Sequence, residues 1–241
     1  MSAANTPYAV NHISVDSVIF GYDGRKLMVL LLPEQVRMGR EVFRFRKLPG
    51  DLILREEDLE EAVHRIVRDL TGIEVLKMIQ IKTYGSKGRT SEMDMRWLLQ
   101  NNGVTIDGIV TTSYLSVVKI NRHLESLRKK FGFEWTPVQG IEQLAFDHNR
   151  LIEDGLALLK NVSDAAPDIL FELLPRKFTI LQYRLLCEQV HRRHYDPGNF
   201  QKKVLGTMPY VVPLEEFETG AGHRAARYYR FYKTVYKRFR K

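Results

Sequence analysis

Apolar and polar positions follow one another in two rhythms along this chain. Ile13 to Phe20 is rich in β-branched and aromatic residues and predicts a strand. Asp23-Gly24 is a hairpin turn signal, and Leu27 to Leu32 predicts a second, buried strand. Arg37 to Arg46 is basic and reads as a loop or short strand, ended by Leu48-Pro49-Gly50. From about Asp58 the rhythm changes: Leu59, Ala62, Val63, Ile66, Val67 and Leu70 recur at helical spacing, and Gly72 is placed to cap the end.

Strands are predicted at Val75 to Ile81 and Ser113 to Ile120, with Phe133 to Val138 at an edge because of Pro137. The stretch between Thr83 and Thr112 is turn-rich, broken by amphipathic Met93 to Leu99. Asn149 to Leu159 is helical, and Asn161 to Asp168 has the composition of a linker. Phe178 to Arg192 predicts an amphipathic helix with Leu181, Leu185, Leu186 and Val190 as its stripe. Thr179 and Gln182 stand at capping-box spacing. Asp196-Pro197 then opens a short helix reaching Leu205, with Phe200, Val204 and Leu205 inward and Asn199, Lys202 and Lys203 outward. Tyr210 to Leu214 and Arg227 to Tyr232 predict two strands around a Gly-rich turn, and Lys233 to Lys241 is a basic tail. The sequence thus predicts an α+β chain: an α/β/α part over residues 1–160, a linker over 161–175, and a small helix-turn-helix part over 176–241.

Composition narrows the function. With 44% hydrophobic and 27% charged residues the chain buries a core, and its longest apolar run is far below the roughly 20 residues of a membrane span. No secretory leader is visible, and the single cysteine, Cys187, excludes an intrachain disulfide; the expectation is a cytoplasmic protein. The net charge of +8 is unevenly placed. Residues 1–175 hold 22 Lys and Arg against 24 Asp and Glu, a net of −2, whereas residues 176–241 hold 15 against 5, a net of +10. A small, strongly basic part points to a polyanion, because neutralising phosphates releases counterions.

Leu48 to Ile73 resembles the Nudix box, with Glu57 as the glutamate after the loop, Arg65 as its arginine and Gly72 as its closing glycine. In enzymes of that family the helix glutamates hold Mg²⁺ against a diphosphate. Here Asp51 stands for the first glycine, Ile66 for the glutamate after the arginine, and Asp69 and Leu70 for the paired glutamates. A hard cation needs several carboxylate oxygens on one face, and hydrocarbon replaces them. The expectation is a Nudix-like fold without Nudix catalysis, its cleft kept as a sensor. Candidate ligand contacts are Arg44, Arg46 and Lys47 before the box, Glu57 and Arg65 within it, and Arg96, Trp97 and Tyr114 beyond.

The order of segments resembles the Nudix-related transcriptional regulators, a bacterial family with a Nudix-like sensor and a C-terminal winged helix. VDSVIFGYDG, LAFDHNRLIEDGLALL, LLPRKFTILQ, DPGNFQKKVLG and GHRAARYYRF carry the likeness. The resemblance implies a dimeric repressor or activator on a palindromic operator, released or tuned by a sugar or an ADP-ribose-like nucleotide; no cofactor is expected. DNA contacts are expected from Thr179, Gln182, Asn199, Gln201, Lys202, Lys203, His223, Arg224 and Arg227. The loop from Tyr84 to Thr112 lacks the family's usual short motif, so the pocket there is expected to be rebuilt. The competing readings are a Nudix hydrolase with an accessory nucleic-acid-binding part and a non-catalytic adaptor.

Overall fold

The computed structural model describes residues 12–74, 77–103, 108–219 and 225–240. β1 (His12–Tyr22) and β2 (Leu27–Met38) form a hairpin. Its turn is held by the Asp23 carboxylate, which accepts from the backbone N–H groups of Arg25 and Lys26. β3 (Glu41–Lys47), β4 (Gly50–Leu52), α1 (Leu59–Thr71), β5 (Ile79–Tyr84), α2 (Glu92–Asn102) and β6 (Ile109–Val117) follow, then α3 (Arg122–Phe131), β7 (Glu134–Pro137) and α4 (His148–Ala165). The seven strands form one mixed sheet in the order β3-β2-β1-β6-β5, with β4 on β1 and β7 on β2. β1 and β6 run parallel from His12↔Ile109 to Phe20↔Val117, and the other pairs are antiparallel.

The strands read as apolar runs because helices cover both faces of the sheet. Val15, Ile19, Leu30, Leu32 and Tyr114 point one way, onto Ala62, Val63, Ile66 and Val67 of α1 and Leu124 of α3. Their neighbours Val18, Phe20, Val29, Leu31 and Leu115 point the other way, onto Leu151, Ile152, Leu156 and Leu159 of α4. Each such buried side chain contributes about 1.5–3 kcal/mol. α1 is closed at its start by a reciprocal capping box between Asp58 and Glu61 and at its end by Gly72 at φ 69°. An added Cβ at Gly72 would meet the Phe131 ring at 2.4 Å.

α5 (Asp168–Leu173), β8 (Phe178–Thr179), α6 (Ile180–His191), α7 (Pro197–Thr207), β9 (Val211–Phe217), β10 (Arg227–Phe231) and α8 (Lys233–Phe239) complete the chain, with a small sheet ordered β8-β10-β9. An aromatic cluster centres it: Phe171 stacks on Phe231 at 4.4 Å and lies 4.8 Å from Tyr183, which meets Phe200 of α7.

Several elements differ from the sequence reading. The linker expected over 161–175 is helical: α4 runs to Ala165 and α5 buries Ile169, Leu170, Phe171 and Leu173. The polar residues there find partners, since Ser163 Oγ donates to the Lys160 carbonyl and lies 3.0 Å from His191 Nε2. α3 is absent from the sequence reading: its stripe is short, Leu124, Leu127 and Phe131, with only Leu124 fully buried. The stripe of α6 is Tyr183, Leu186, Cys187 and Val190, while Leu181 is 52% exposed. α7 continues through Gly206 to Thr207 and leaves Leu205 exposed. The basic tail forms α8, anchored by Tyr236 against Tyr210 at 4.9 Å.

One core runs through both sheets: Phe20, Tyr22, Leu27 and Val29 of the hairpin share it with Tyr183, Leu186, Cys187 and Val190 of α6. Hydrogen bonds seal the contact. The Tyr22 hydroxyl donates to the Gln182 carbonyl at 3.0 Å, and Gln189 accepts from the Leu27 N–H at 2.8 Å and donates to the Arg25 carbonyl at 2.9 Å.

Candidate functional site

α1 carries the residues that resemble the Nudix box. Glu57 and Arg65 close on each other through two bonds of 2.5 and 2.8 Å, and the same guanidinium donates to the Leu52 carbonyl at 3.2 Å. The bonded Arg65 holds the Glu57 carboxyl below its ordinary range, helped by the Leu54 N–H, and Glu57 raises Arg65 in turn. Ile66 is 1% exposed inside the core, and Asp69 is exposed beside Arg68. Glu60 and Glu61 occupy the first turn of α1, where they complement the helix dipole. Among the described residues no group of three His, Cys, Asp or Glu is placed to hold a metal ion.

The other face of the sheet carries a narrow cleft with a cavity volume of about 30 Å³. Ser14 and Asp16 of β1, Lys47 of β3 and Gly50 to Leu52 form one side. Arg89, Trp97, Leu98, Ile109, Phe146 and His148 form the other. At its base Asp16 accepts from the Thr111 hydroxyl at 2.7 Å and faces His148 Nε2 at 3.4 Å. His148 Nδ1 accepts from the Leu48 N–H at 3.0 Å, so the proton of this ring sits on Nε2, toward Asp16. Burial pushes the Asp16 carboxyl up, but the His148 ring, the bonds from His148 and Thr111, and the Lys47 charge bring it down to about 2. Lys47 is itself buried and donates to the Gly50 carbonyl at 2.7 Å. Burial lowers its pKa, opposed by Asp16, Glu34 and Asp51. Only glycine fits at position 50, because an added Cβ would lie 1.9 Å from Asp16 Oδ1.

The rim is rigid. Arg89, 4% exposed, clamps Asp147 through bonds of 2.6 and 3.3 Å and reaches the Ile109 carbonyl. Trp97 meets Phe45 and Phe146 edge-on at 6.3 and 6.2 Å, with Lys47 Nζ 5.0 Å from its ring centre. Phe146 stacks on His148 at 5.1 Å and holds a left-handed φ of 54°. Two buried polar atoms on this wall, Ser14 Oγ and Trp97 Nε1, have no hydrogen-bond partner in the protein. Each such atom costs about 1–3 kcal/mol when left unmade, and a ligand or water that reaches it recovers that cost.

Of the expected ligand residues, the structure therefore gathers only Lys47 and Trp97 in the cleft. Arg46 pairs with Glu142 at 3.2 Å and bonds Thr136, and it lines a separate groove with exposed Arg44. Arg96 is exposed beside Glu92. Tyr114 is buried under α1, on the opposite sheet face. Glu57 and Arg65 are consumed by one another. Sequence reasoning missed Ser14, Asp16, Arg89 and His148. A signal existed for two: Asp16 is a lone carboxylate inside an apolar strand, and His148 closes the Phe-Asp-His segment.

The C-terminal part places a helix as the sequence predicts. Asp196 Oδ1 accepts from the Asn199 N–H at 2.9 Å, Pro197 starts α7, and Phe200 and Val204 are buried. Asn199, Gln201, Lys202 and Lys203 are exposed. The turn before α7 is fixed by Arg184, which bonds Glu188 and the Tyr195 carbonyl. Thr179 and Gln182 leave the expected contact set: they form a reciprocal capping box, and Thr179 is 2% exposed. Arg227 is committed to the Leu214 carbonyl and Glu215, tying β10 to β9. His223 and Arg224 lie outside the described residues.

Residues 170–231 match the NrtR DNA-binding winged helix domain. Shewanella oneidensis NrtR is similar over the whole chain, with TM-score 0.63, 21% identity, 92% of this chain and 94% of that chain covered. A structure of the same protein complexed with a 27mer DNA matches at TM-score 0.62 and 21% identity, covering 91% and 93%. A MutT/nudix family protein from Enterococcus faecalis matches at TM-score 0.60 and 19% identity, covering 95% and 89%. Residues 170–231 therefore carry a winged helix of the NrtR kind, and the chain as a whole has the fold of NrtR. No curated protein matches it. As in that architecture, a Nudix-like mixed sheet precedes a DNA-binding winged helix, which here begins at Leu170 within α5, ahead of the boundary expected at 176. The cleft and the winged helix are joined by two elements. β1 carries Asp16 and Tyr22, and α4 carries His148 and Ser163, so each touches the cleft at one end and α6 at the other.

Proposed function

We propose that the protein is a cytoplasmic transcriptional repressor that binds a palindromic operator as a homodimer. Residues up to about 160 form the effector-sensing part, and α7 is the recognition helix. The observation that carries the DNA reading is the two-sided build of α7 within the matched winged helix: Phe200 and Val204 pack behind, and Asn199, Gln201, Lys202 and Lys203 stand in front. Asn and Gln pair with adenine edges in the major groove, and Lys reaches guanine or phosphate. Solved NrtR with a 27mer DNA supports this use of the fold. No helix among the described residues is long and apolar enough to cross a membrane.

The Nudix-like part is read as non-catalytic, because Ile66 and half-buried Leu70 occupy carboxylate positions of the box. Its effector is a small polyhydroxyl metabolite, a sugar or the sugar end of a nucleotide. The cleft offers hydroxyl partners in Asp16, Lys47, Ser14 and Trp97 between aromatic side chains, and an effector larger than a water enters only by parting its walls. The deciding experiment is fluorescence anisotropy on DNA upstream of the protein's own and neighbouring genes, at physiological salt with excess random duplex. Binding that survives competitor is expected. Lys202→Ala with Lys203→Ala should weaken it at least about tenfold and lower the salt slope by about two units while the fold melts unchanged. Binding erased by competitor would overturn the reading.

A further inference from the structure

Beyond the cleft and α7, three cations from distant parts of the chain converge where the two sheets meet. Lys119 follows β6, Arg176 lies between α5 and β8, and Arg230 stands on β10. With Phe171, Phe178 and Phe231 they line a hollow of about 230 Å³. Among the described residues, none of the three has an ion pair or side-chain hydrogen bond. The carboxylate facing Lys119 is that of Glu172, which is already bonded to Lys233 at 3.4 Å. Lys119 is half-buried and feels the like charge of Arg176. Arg176 and Arg230 are exposed and Lys119 is half-buried, whereas Arg65, Arg89, Arg184 and Arg227 each hold a carboxylate.

Three like charges around one hollow repel one another, and an anion among them relieves that repulsion, most of all for half-buried Lys119. The hollow is also separate from the face of α7. Along β10 successive side chains alternate, so Tyr229 turns into the core shared with α6 and α7 while Arg230 turns away. We propose that this hollow is an anion site for a phosphate group, bridging the Nudix-like part and the wing strand. Guanidinium groups are suited to phosphate oxygens, and three cations balance a dianion better than a single carboxylate. The phosphate comes either from a soluble phosphorylated compound or from the DNA backbone. In both cases it fastens Lys119 of the large sheet to Arg230 of the small one.

The test uses the full chain and inorganic pyrophosphate as the soluble probe. Lys119→Gln with Arg230→Gln is compared with Lys237→Gln and Arg238→Gln on α8, which remove the same charge elsewhere. Circular dichroism melts verify that each variant folds, and Lys119→Arg should keep binding. Calorimetric titration is expected to show pyrophosphate affinity falling about tenfold or more in the first variant and less than about twofold in the α8 control. If the wild type takes up no pyrophosphate but the first variant alone lowers the DNA salt slope by about one unit, the occupant is a backbone phosphate and the site stands. If both variants behave alike in both assays, the cations only add to the net field and the proposal is overturned.

Discussion

The box helix and the cleft lie on opposite faces of one sheet, and they have spent their polar groups differently. On α1 every remaining box residue is committed. Glu57 and Arg65 close a pair that ties the loop to the helix, and Ile66 is core. In the cleft the charges Asp16 and Lys47 are held in place, while Ser14 Oγ and Trp97 Nε1 have nothing to bond. Unpartnered buried atoms occur on both faces, Trp135 Nε1 packing on the α1 side, so what sets the cleft apart is that its orphans stand beside the buried charges Asp16 and Lys47.

The sharpest way to break this contrast is to put carboxylates back. Ile66→Glu should cost about 3–5 kcal/mol by urea unfolding, since it buries a charge among Val15, Ile19 and Val63. Adding Leu70→Glu should bring no Mg²⁺-dependent hydrolysis of a nucleoside diphosphate derivative; a folded, active variant would erase the difference between the two faces. Next is Asp16→Asn, expected to cost about 2–3 kcal/mol because buried Lys47 loses its facing carboxylate. This substitution also carries a pH signature. Asp16 titrates at about 2 in the folded chain and near 4 when unfolded, so its contribution is full above about pH 4 and is lost as pH falls toward 2. Acid unfolding of the wild type should show that limb, and the Asn variant should lack it.

A smaller effect is expected at the box. Arg65→Ala should cost about 1–2 kcal/mol in a thermal melt and change effector affinity less than about twofold, because it touches the cleft only through the Leu52 carbonyl. Smallest in stability is Ser14→Ala, within about 0.5 kcal/mol of wild type because the hydroxyl has no protein partner. Its effector affinity should still fall about fivefold by calorimetry. Equal affinity in Ser14→Ala and wild type would remove the hydroxyl from the cleft's binding role.

The elements that repeat a rhythm were legible before any coordinates. β1, β2, α1 and α7 announce themselves by spacing and caps, and the degenerate box is visible as letters. α3 was not legible, because only Leu124 of its ten residues is buried and its charges mask the stripe. The helical course of residues 161–173 was hidden by a polar, linker-like composition whose partners, such as His191 for Ser163, lie far along the chain. The cleft was half legible for the same reason. Lys47 and Trp97 could be nominated as basic and aromatic residues, but Asp16, Arg89 and His148 become a cluster only when β1, the segment before α2 and the start of α4 meet. Arg46 and Tyr114 show the converse: strand alternation, not residue type, decided which way they point.

The seam between hairpin and α6 bears on how the protein is made. The Tyr22 hydroxyl and the Gln182 carbonyl it meets are 160 positions apart, and Phe20, Leu27 and Val29 share their core with residues 183–190. On the ribosome the first hairpin therefore emerges with one oily face and no cover for it until most of the chain has followed. Such distant closure slows folding and leaves a sticky intermediate, so nascent chains halted before α6 should be strong clients of chaperones.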